Sequence, residues 1–153
     1  MRLALYQPDI PQNTGTLMRL CACMGVAMDI IEPCGFILSD KNLKRAGMDY
    51  LDSLDLTRHA DFGALRRAQA GRRIVLLTTK SQQSFLDFAF APDDILLLGR
   101  ESAGVPDDVH TACDAPITIP MAAGLRSLNV AISGAMALSE ALRQTAQFPQ
   151  AGS

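Results

Sequence analysis

The chain has 153 residues, 48% of them hydrophobic and 20% charged, with a net charge of −2. That length suits one domain with a sizeable core, and the balance is that of a globular rather than a disordered protein. The weak negative charge argues against broad, non-specific nucleic-acid binding but leaves room for a local basic patch.

No apolar run reaches the roughly 18 residues of a membrane span, and the N-terminus turns polar too soon for a signal peptide. The four cysteines are Cys21, Cys23, Cys34 and Cys113. Their spacing, with His59 and His110 single and distant, fits reduced thiols rather than a metal site. A single cytoplasmic domain over residues 1–153 is expected, with no metal, no membrane contact and a frayed tail after about residue 148.

In chain order, Arg2 to Tyr6 reads as a first strand. Gln7 to Gln12 holds two prolines and is expected to be a loop. Asn13-Thr14-Gly15 opens a helix through Met24, with Asn13 or Thr14 as its cap. Leu17, Leu20, Cys21 and Met24 form its apolar stripe, Arg19 lies off that stripe, and Gly25 ends it. Val26 to Ile31 is a second strand. Glu32 to Asp55 is irregular, with Lys41, Lys44 and Arg45 on a short helical stretch. Leu54 to Arg58 is read as a short strand. Asp61 to Ala70 is read as a helix whose last turn carries Arg66 and Arg67, as the helix dipole prefers. Arg73 to Thr79 and Asp94 to Leu98 are buried strands, and Pro106 opens a short helix to Ala112.

Ile117-Thr118-Ile119 is expected as a strand stopped by Pro120. A small-residue turn follows, and then a helix that is apolar nearly all round, from Val130 to Leu142. Such a helix needs cover on more than one side. Arg126, Ser127 and Asn129 therefore stand at what reads as a buried helix N-terminus, a place where unsatisfied N–H groups receive polar or anionic ligands.

Continuous apolar strands alternating with helices indicate an α/β fold, a mostly parallel sheet with helices on both faces. Ligands in such sheets bind at the C-terminal ends of the strands. Four loops at those ends hold the unusual residues: 7–16, 78–81, 99–106 and 120–129. Gly99 to Gly104 is not a phosphate-binding P-loop, because Val105-Pro106 stands where Lys-Ser/Thr is required. It reads either as a tight turn or as a loop in which Glu101 holds a neighbour by accepting N–H bonds. Asn13 and Arg19 read either as a cap and a solvated arginine or as site residues. No dinucleotide fingerprint and no Ser-His-Asp set is visible.

Taken in order, these signals resemble one family. Pro-x-Asn-Thr-Gly with Arg19 follows the first strand, Gly-x-Glu-x-x-Gly follows a buried strand, and Ile119-Pro120 with Arg126-Ser127-x-Asn129 precedes the last helix. Together with Ile31-Glu32-Pro33, Arg45-Ala46-Gly47, Thr57-Arg58-His59 and Leu77-Thr78-Thr79-Lys80, the chain resembles the SPOUT family of AdoMet-dependent RNA methyltransferases. It is most similar to the small single-domain branch that methylates the ribose 2′-oxygen of the tRNA wobble nucleotide, cytidine or modified uridine, in tRNAs of leucine type.

The resemblance implies a C-terminal trefoil knot and a homodimer whose sites borrow residues from the partner. It implies S-adenosyl-L-methionine held by Leu77, Gly99, Glu101, Ile119, Ser127 and Leu128. It implies Arg19, Ser127 and Asn129 as catalytic residues, and Asn13, Arg19, Lys41, Arg45 and Arg126 as contacts to tRNA. Ser102-Ala103 is smaller than the Thr-Arg pair usual in the family. The alternatives are a non-catalytic RNA-binding dimer of the same fold, 2′-O-methylation at another RNA site, and a nucleotide-binding hydrolase, which the missing P-loop and triad disfavour.

Overall fold

A computed structural model describes residues 1–39, 41–42 and 51–152. Among them, six strands form one parallel sheet: β1 (Arg2–Tyr6), β2 (Ala27–Ile31), β3 (Leu56–His59), β4 (Ile74–Leu77), β5 (Ile95–Leu98) and β6 (Ala115–Ile117). Their order across the sheet is β3-β2-β1-β5-β4-β6. The helices are α1 (Pro11–Met24), α2 (Phe62–Ala68), α3 (Asp107–Ala112) and α4 (Val130–Gln144).

The period of two along each strand builds two separate cores. Leu3 and Leu5 of β1 and Leu96 and Leu98 of β5 face Leu17, Met18 and Cys21 of α1 and Ala137 and Leu138 of α4. Ala4, Tyr6, Ile95 and Leu97 point the other way, onto Leu65 of α2 and Val109 of α3. Cover on both faces explains why residues 3–6 of β1 and all of β5 are apolar. Asp29 is the fully buried exception in β2, gripped by Arg2 through bonds of 2.7 and 3.0 Å and by His59 Nε2 at 2.8 Å. A buried carboxylate survives only with such partners.

Five expectations change. The first helix begins at Pro11, ahead of the reading at Asn13, and Ile10 stands at its cap position without a side-chain bond. Proline at the first helical position fixes φ and lacks an N–H the helix would leave idle, so it opens the helix where a break is expected. Asn13 and Thr14 are thereby buried in the first turn instead of capping it. The last strand lies at Ala115–Ile117, two residues before the expected one, with Pro116 inside it. It pairs only with β4, so the sheet tolerates a residue with no N–H at that edge.

The helix N-terminus at Asn129 is not buried: residues 122–129 are exposed within the chain. Helix α4 is covered on one side only, through Ala131, Gly134, Ala137, Leu138, Ala141 and Leu142. Ile132 is 54% exposed and Met136 41%. Gly134 sets how closely α4 approaches the sheet, since a Cβ there would stand 2.6 Å from Leu98 Cδ1 and 3.1 Å from Leu17 Cδ2. Lys41 is exposed and helical, whereas Lys44 and Arg45 lie outside the described residues.

Candidate active site

The loop after β1 is tied to the loop after β5. Asp9 N donates to Glu101 Oε2 at 3.0 Å, and Ser102 Oγ donates to the Asp9 carboxylate. Glu101 thus accepts an N–H from a neighbouring loop, as its position at the mouth of a buried strand suggests. From the other side, Gly35 N donates to Pro8 O at 2.9 Å. A Cβ on Gly35 would meet Asp9 Cα at 2.9 Å, so only glycine lets these two backbones touch.

The loop after β5 closes on itself. Arg100 and Gly104 exchange two backbone hydrogen bonds of 3.0 and 2.9 Å, and Arg100 Nε adds a third to Gly104 O at 3.2 Å. The Arg100 guanidinium lies over the Tyr6 ring, 5.4 Å from its centroid. Gly99 is the residue that permits this closure. A Cβ there would fall 2.8 Å from Gly104 Cα, so the backbone it makes room for is first of all that of its own loop.

The carboxyls of Asp9 and Glu101 adjoin, and their acidities part. Burial pushes Glu101 above the usual carboxylate range, and the adjoining Asp9 carboxyl adds to the rise. Bonds from Glu101 and Ser102 hold Asp9 below it. A proton shared by the pair therefore resides on Glu101.

The third loop, 118–129, is led in by backbone bonds from Phe85 N to Thr118 O and from Thr118 N to Gln83 O. It turns at Gly124, whose φ of 85° lies in the left-handed region. It ends at Asn129, the cap of α4. Asn129 Oδ1 accepts from Ala131 N at 2.8 Å and from Ile132 N at 3.2 Å. Its Nδ2 donates to Asn13 Oδ1 at 3.1 Å, so one side chain joins the starts of α1 and α4.

Between these loops, at the C-terminal ends of β4, β5 and β6, lies a cleft of about 500 Å³. It brings together Leu77, Gly99, Glu101, Ile119, Ser127 and Leu128, with Asn13 and Asn129 at one side. Thr78, Lys80 and Arg100 add polar groups, and Ile10, Val105, Met121 and His110 complete a wall that the motifs did not single out. Arg19, Arg126 and Lys41 are exposed and stand outside its lining. Other basic residues are engaged elsewhere. Arg58 pairs with Glu32, Arg66 binds Ala112 O, and Arg73 holds Asp94 at the opposite end of the sheet.

A family model described as the SpoU rRNA Methylase family matches residues 1–139. The chain belongs to that family. A relative from Beijerinckia indica named tRNA (cytidine(34)-2'-O)-methyltransferase is 61% identical over 144 residues, covering 93% of this chain and 90% of the relative. A solved structure described as giving structural insights into the 2-OH methylation of C/U34 on tRNA shares 40% identity, with a TM-score of 0.88 and 94% of each chain covered. The family member AviRb from Streptomyces viridochromogenes, solved in complex with AdoMet, matches at 28% identity and a TM-score of 0.82, over 94% of this chain and 60% of that one.

The cleft fits the cofactor of this family. Its volume falls within the roughly 300–1,000 Å³ of small-molecule sites, and its lining divides about evenly between apolar and polar residues.

Proposed function

We propose that this chain transfers a methyl group from S-adenosyl-L-methionine to the ribose 2′-oxygen of the wobble nucleotide of tRNA, cytidine or uridine, in the cytoplasm. The observation that carries this reading is the convergence of three separate loops on one cleft in a chain 61% identical to a relative named for that reaction. Leu77, Gly99, Glu101, Ile119, Ser127 and Leu128 would hold the cofactor. The bound cofactor supplies a methyl already activated on a sulfonium.

What remains for the protein is alignment of the hydroxyl and removal of its proton. The bond between Asn129 and Asn13 fixes both amides at the edge of the cleft. Ser127 and Asn129 then orient the ribose. A guanidinium is almost never deprotonated, so Arg19 acts as a positioner and charge stabiliser, and an RNA phosphate or water takes the proton. Lys41, Arg45 and Arg126 contribute to phosphate binding.

Arg19 lies outside the cleft of its own chain. This supports a homodimer in which Arg19 serves the partner's site. Leu128, Ile132 and Met136 repeat every fourth residue, all exposed, and form an apolar stripe beginning at the cleft. A trefoil knot belongs to the same reading. β6 lies at the sheet edge, yet α4 packs on Leu17 and Leu98 nearer the centre, so the chain between them crosses back over the strand ends. An experimental structure with 118–129 passing outside the other two loops would remove the knot.

The test is methyl transfer from labelled AdoMet to unmodified tRNA, followed by nuclease mapping. Label in a 2′-O-methylated nucleotide at position 34 is expected. Label elsewhere, or none, refutes the reading. Arg19→Ala and Asn129→Ala subunits, each inactive alone, should regain activity when co-expressed. Silence of the mixture places Arg19 in its own chain's site.

A further inference from the structure

Arg100 has no part in the reading above. It is the only lysine or arginine between Gly99 and Gly104, and it shares the lining of the cleft with Lys80. Lys80 is exposed, whereas Arg100 is half-buried and held in place. Its Nε donates to Gly104 O at 3.2 Å and its Nη1 to Gln7 Oε1 at 3.3 Å, and its guanidinium lies over the buried Tyr6 ring.

All of these partners are neutral. Among the described residues no carboxylate pairs with Arg100, and its Nη2 makes no hydrogen bond. A guanidinium carries five N–H donors in a rigid fork; two are used here, so three remain for a ligand. A cation that has lost part of its hydration and gained no counter-charge is stabilised by an anion that reaches it. Fixing the fork beforehand lowers the ordering cost when that anion binds.

The substrate brings such an anion. The 2′-oxygen and the 3′-phosphate of a nucleotide hang on adjacent ribose carbons, so a cleft that receives the first has the second beside it. The cofactor suits the fork less well, because its sulfonium and ammonium outnumber its carboxylate. We propose that Arg100 binds the 3′-phosphate of the nucleotide being methylated and so positions its 2′-oxygen in the cleft. Paired N–H groups of a guanidinium match two phosphate oxygens at once, which orients the group as well as attracting it. The inference rests on the methyl-transfer reading and adds to it the side chain that holds the substrate's backbone.

The experiment uses tRNAs with a 2′-deoxynucleotide at the wobble position and, on its 3′ side, either a phosphate or a neutral methylphosphonate. The missing hydroxyl makes both inhibitors and protects the neutral linkage from attack. Their inhibition constants against methyl transfer to unmodified tRNA are measured for the wild type and for Arg100→Gln. The neutral linkage should weaken inhibition of the wild type about 10-fold, the effect of one charge-assisted contact, and that of the variant less than about 2-fold. The variant's KM for unmodified tRNA should rise about 10-fold, and its logarithmic salt slope should shrink by about one. Its affinity for S-adenosylhomocysteine, read by calorimetry, should equal that of the wild type.

An equal penalty from the neutral linkage in both proteins overturns the inference alone. So does a variant that loses affinity for S-adenosylhomocysteine at an unchanged KM for tRNA, which would give the cation to the cofactor's carboxylate. A wild type indifferent to the neutral linkage overturns it without any variant, so the question stays decidable if Arg100→Gln does not fold. A wild type that methylates no tRNA at the wobble position overturns the methyl-transfer reading as well.

Discussion

Gly99→Ala tests whether the cleft depends on the self-closure of the loop after β5. The new methyl would stand 2.8 Å from both Cα and C of Gly104, which are backbone atoms with no rotamer to escape into. The loop must open, and the reciprocal bonds of 3.0 and 2.9 Å between Arg100 and Gly104 are lost. At ~1 kcal/mol for each bond the destabilisation is about 2 kcal/mol, or roughly 4–8 °C in Tm for a chain of this length. Glu101 sits within the same loop, so its tie to Asp9 N loosens too, and affinity for S-adenosylhomocysteine should fall by about 10-fold or more.

Gly104→Ala is the control. Gly104 has φ of 61° but nothing within 4 Å of an added methyl, so its substitution meets conformational strain of ~1 kcal/mol and no clash. Thermal unfolding and calorimetry of both variants should rank Gly99→Ala as the more damaging on both scales. An equal or reversed ranking refutes the closure argument.

Asn129→Ala removes the acceptor for Ala131 N and Ile132 N together with the bond to Asn13, and should lower stability by about 1–2 kcal/mol in urea unfolding. Asn129→Asp keeps the acceptor but loses the donor to Asn13, so most of that stability should return while methyl transfer does not; recovery of both would show that the bond to Asn13 is dispensable. Glu101→Gln keeps an acceptor for Asp9 N and is neutral at every pH. Because the folded chain raises the affinity of Glu101 for its proton, the stability Glu101 contributes is fully present below about pH 4.5 and is lost as pH rises through the raised value. The variant should therefore gain on the parent as pH rises from about 4.5 through that raised value, by no more than ~1 kcal/mol given the partial exposure of the pair. Asp9 works in the opposite sense, losing its contribution as pH falls through its lowered value. A parent that gains on the variant as pH rises would contradict the proton assignment.

Where local chemistry decides an element, its residues reveal it. Arg2 to Tyr6, the Gly25 end of α1 with φ of 66° and the Asp61 cap that accepts from Ala64 N all follow from side chains within a few positions. The role of Glu101 is legible for a similar reason, since a carboxylate at the mouth of an apolar strand needs N–H donors. The shift of β6 is not, because Pro116 is acceptable only if the strand is an edge, and edge position is set by pairing between distant segments. The start of α1 is hidden because proline signals both a break and a first turn. The exposure of 122–129 depends on how this loop meets distant parts of the chain, which no periodicity records.

The placement of β1 bears on how the chain is made. β1 is made before the other five strands, yet it ends between β2 and β5, near the middle of the sheet. β2 follows within a few dozen residues, but Arg2 finds its other partner only at Ile95. At translation rates of roughly 5–20 residues per second, one edge of an apolar strand stays open for roughly 5–20 s. During that interval its free N–H and C=O groups are a template for any other nascent strand. Slow stretches of translation before residue 95 should therefore lower soluble yield, whereas equal delays after residue 98 should matter far less.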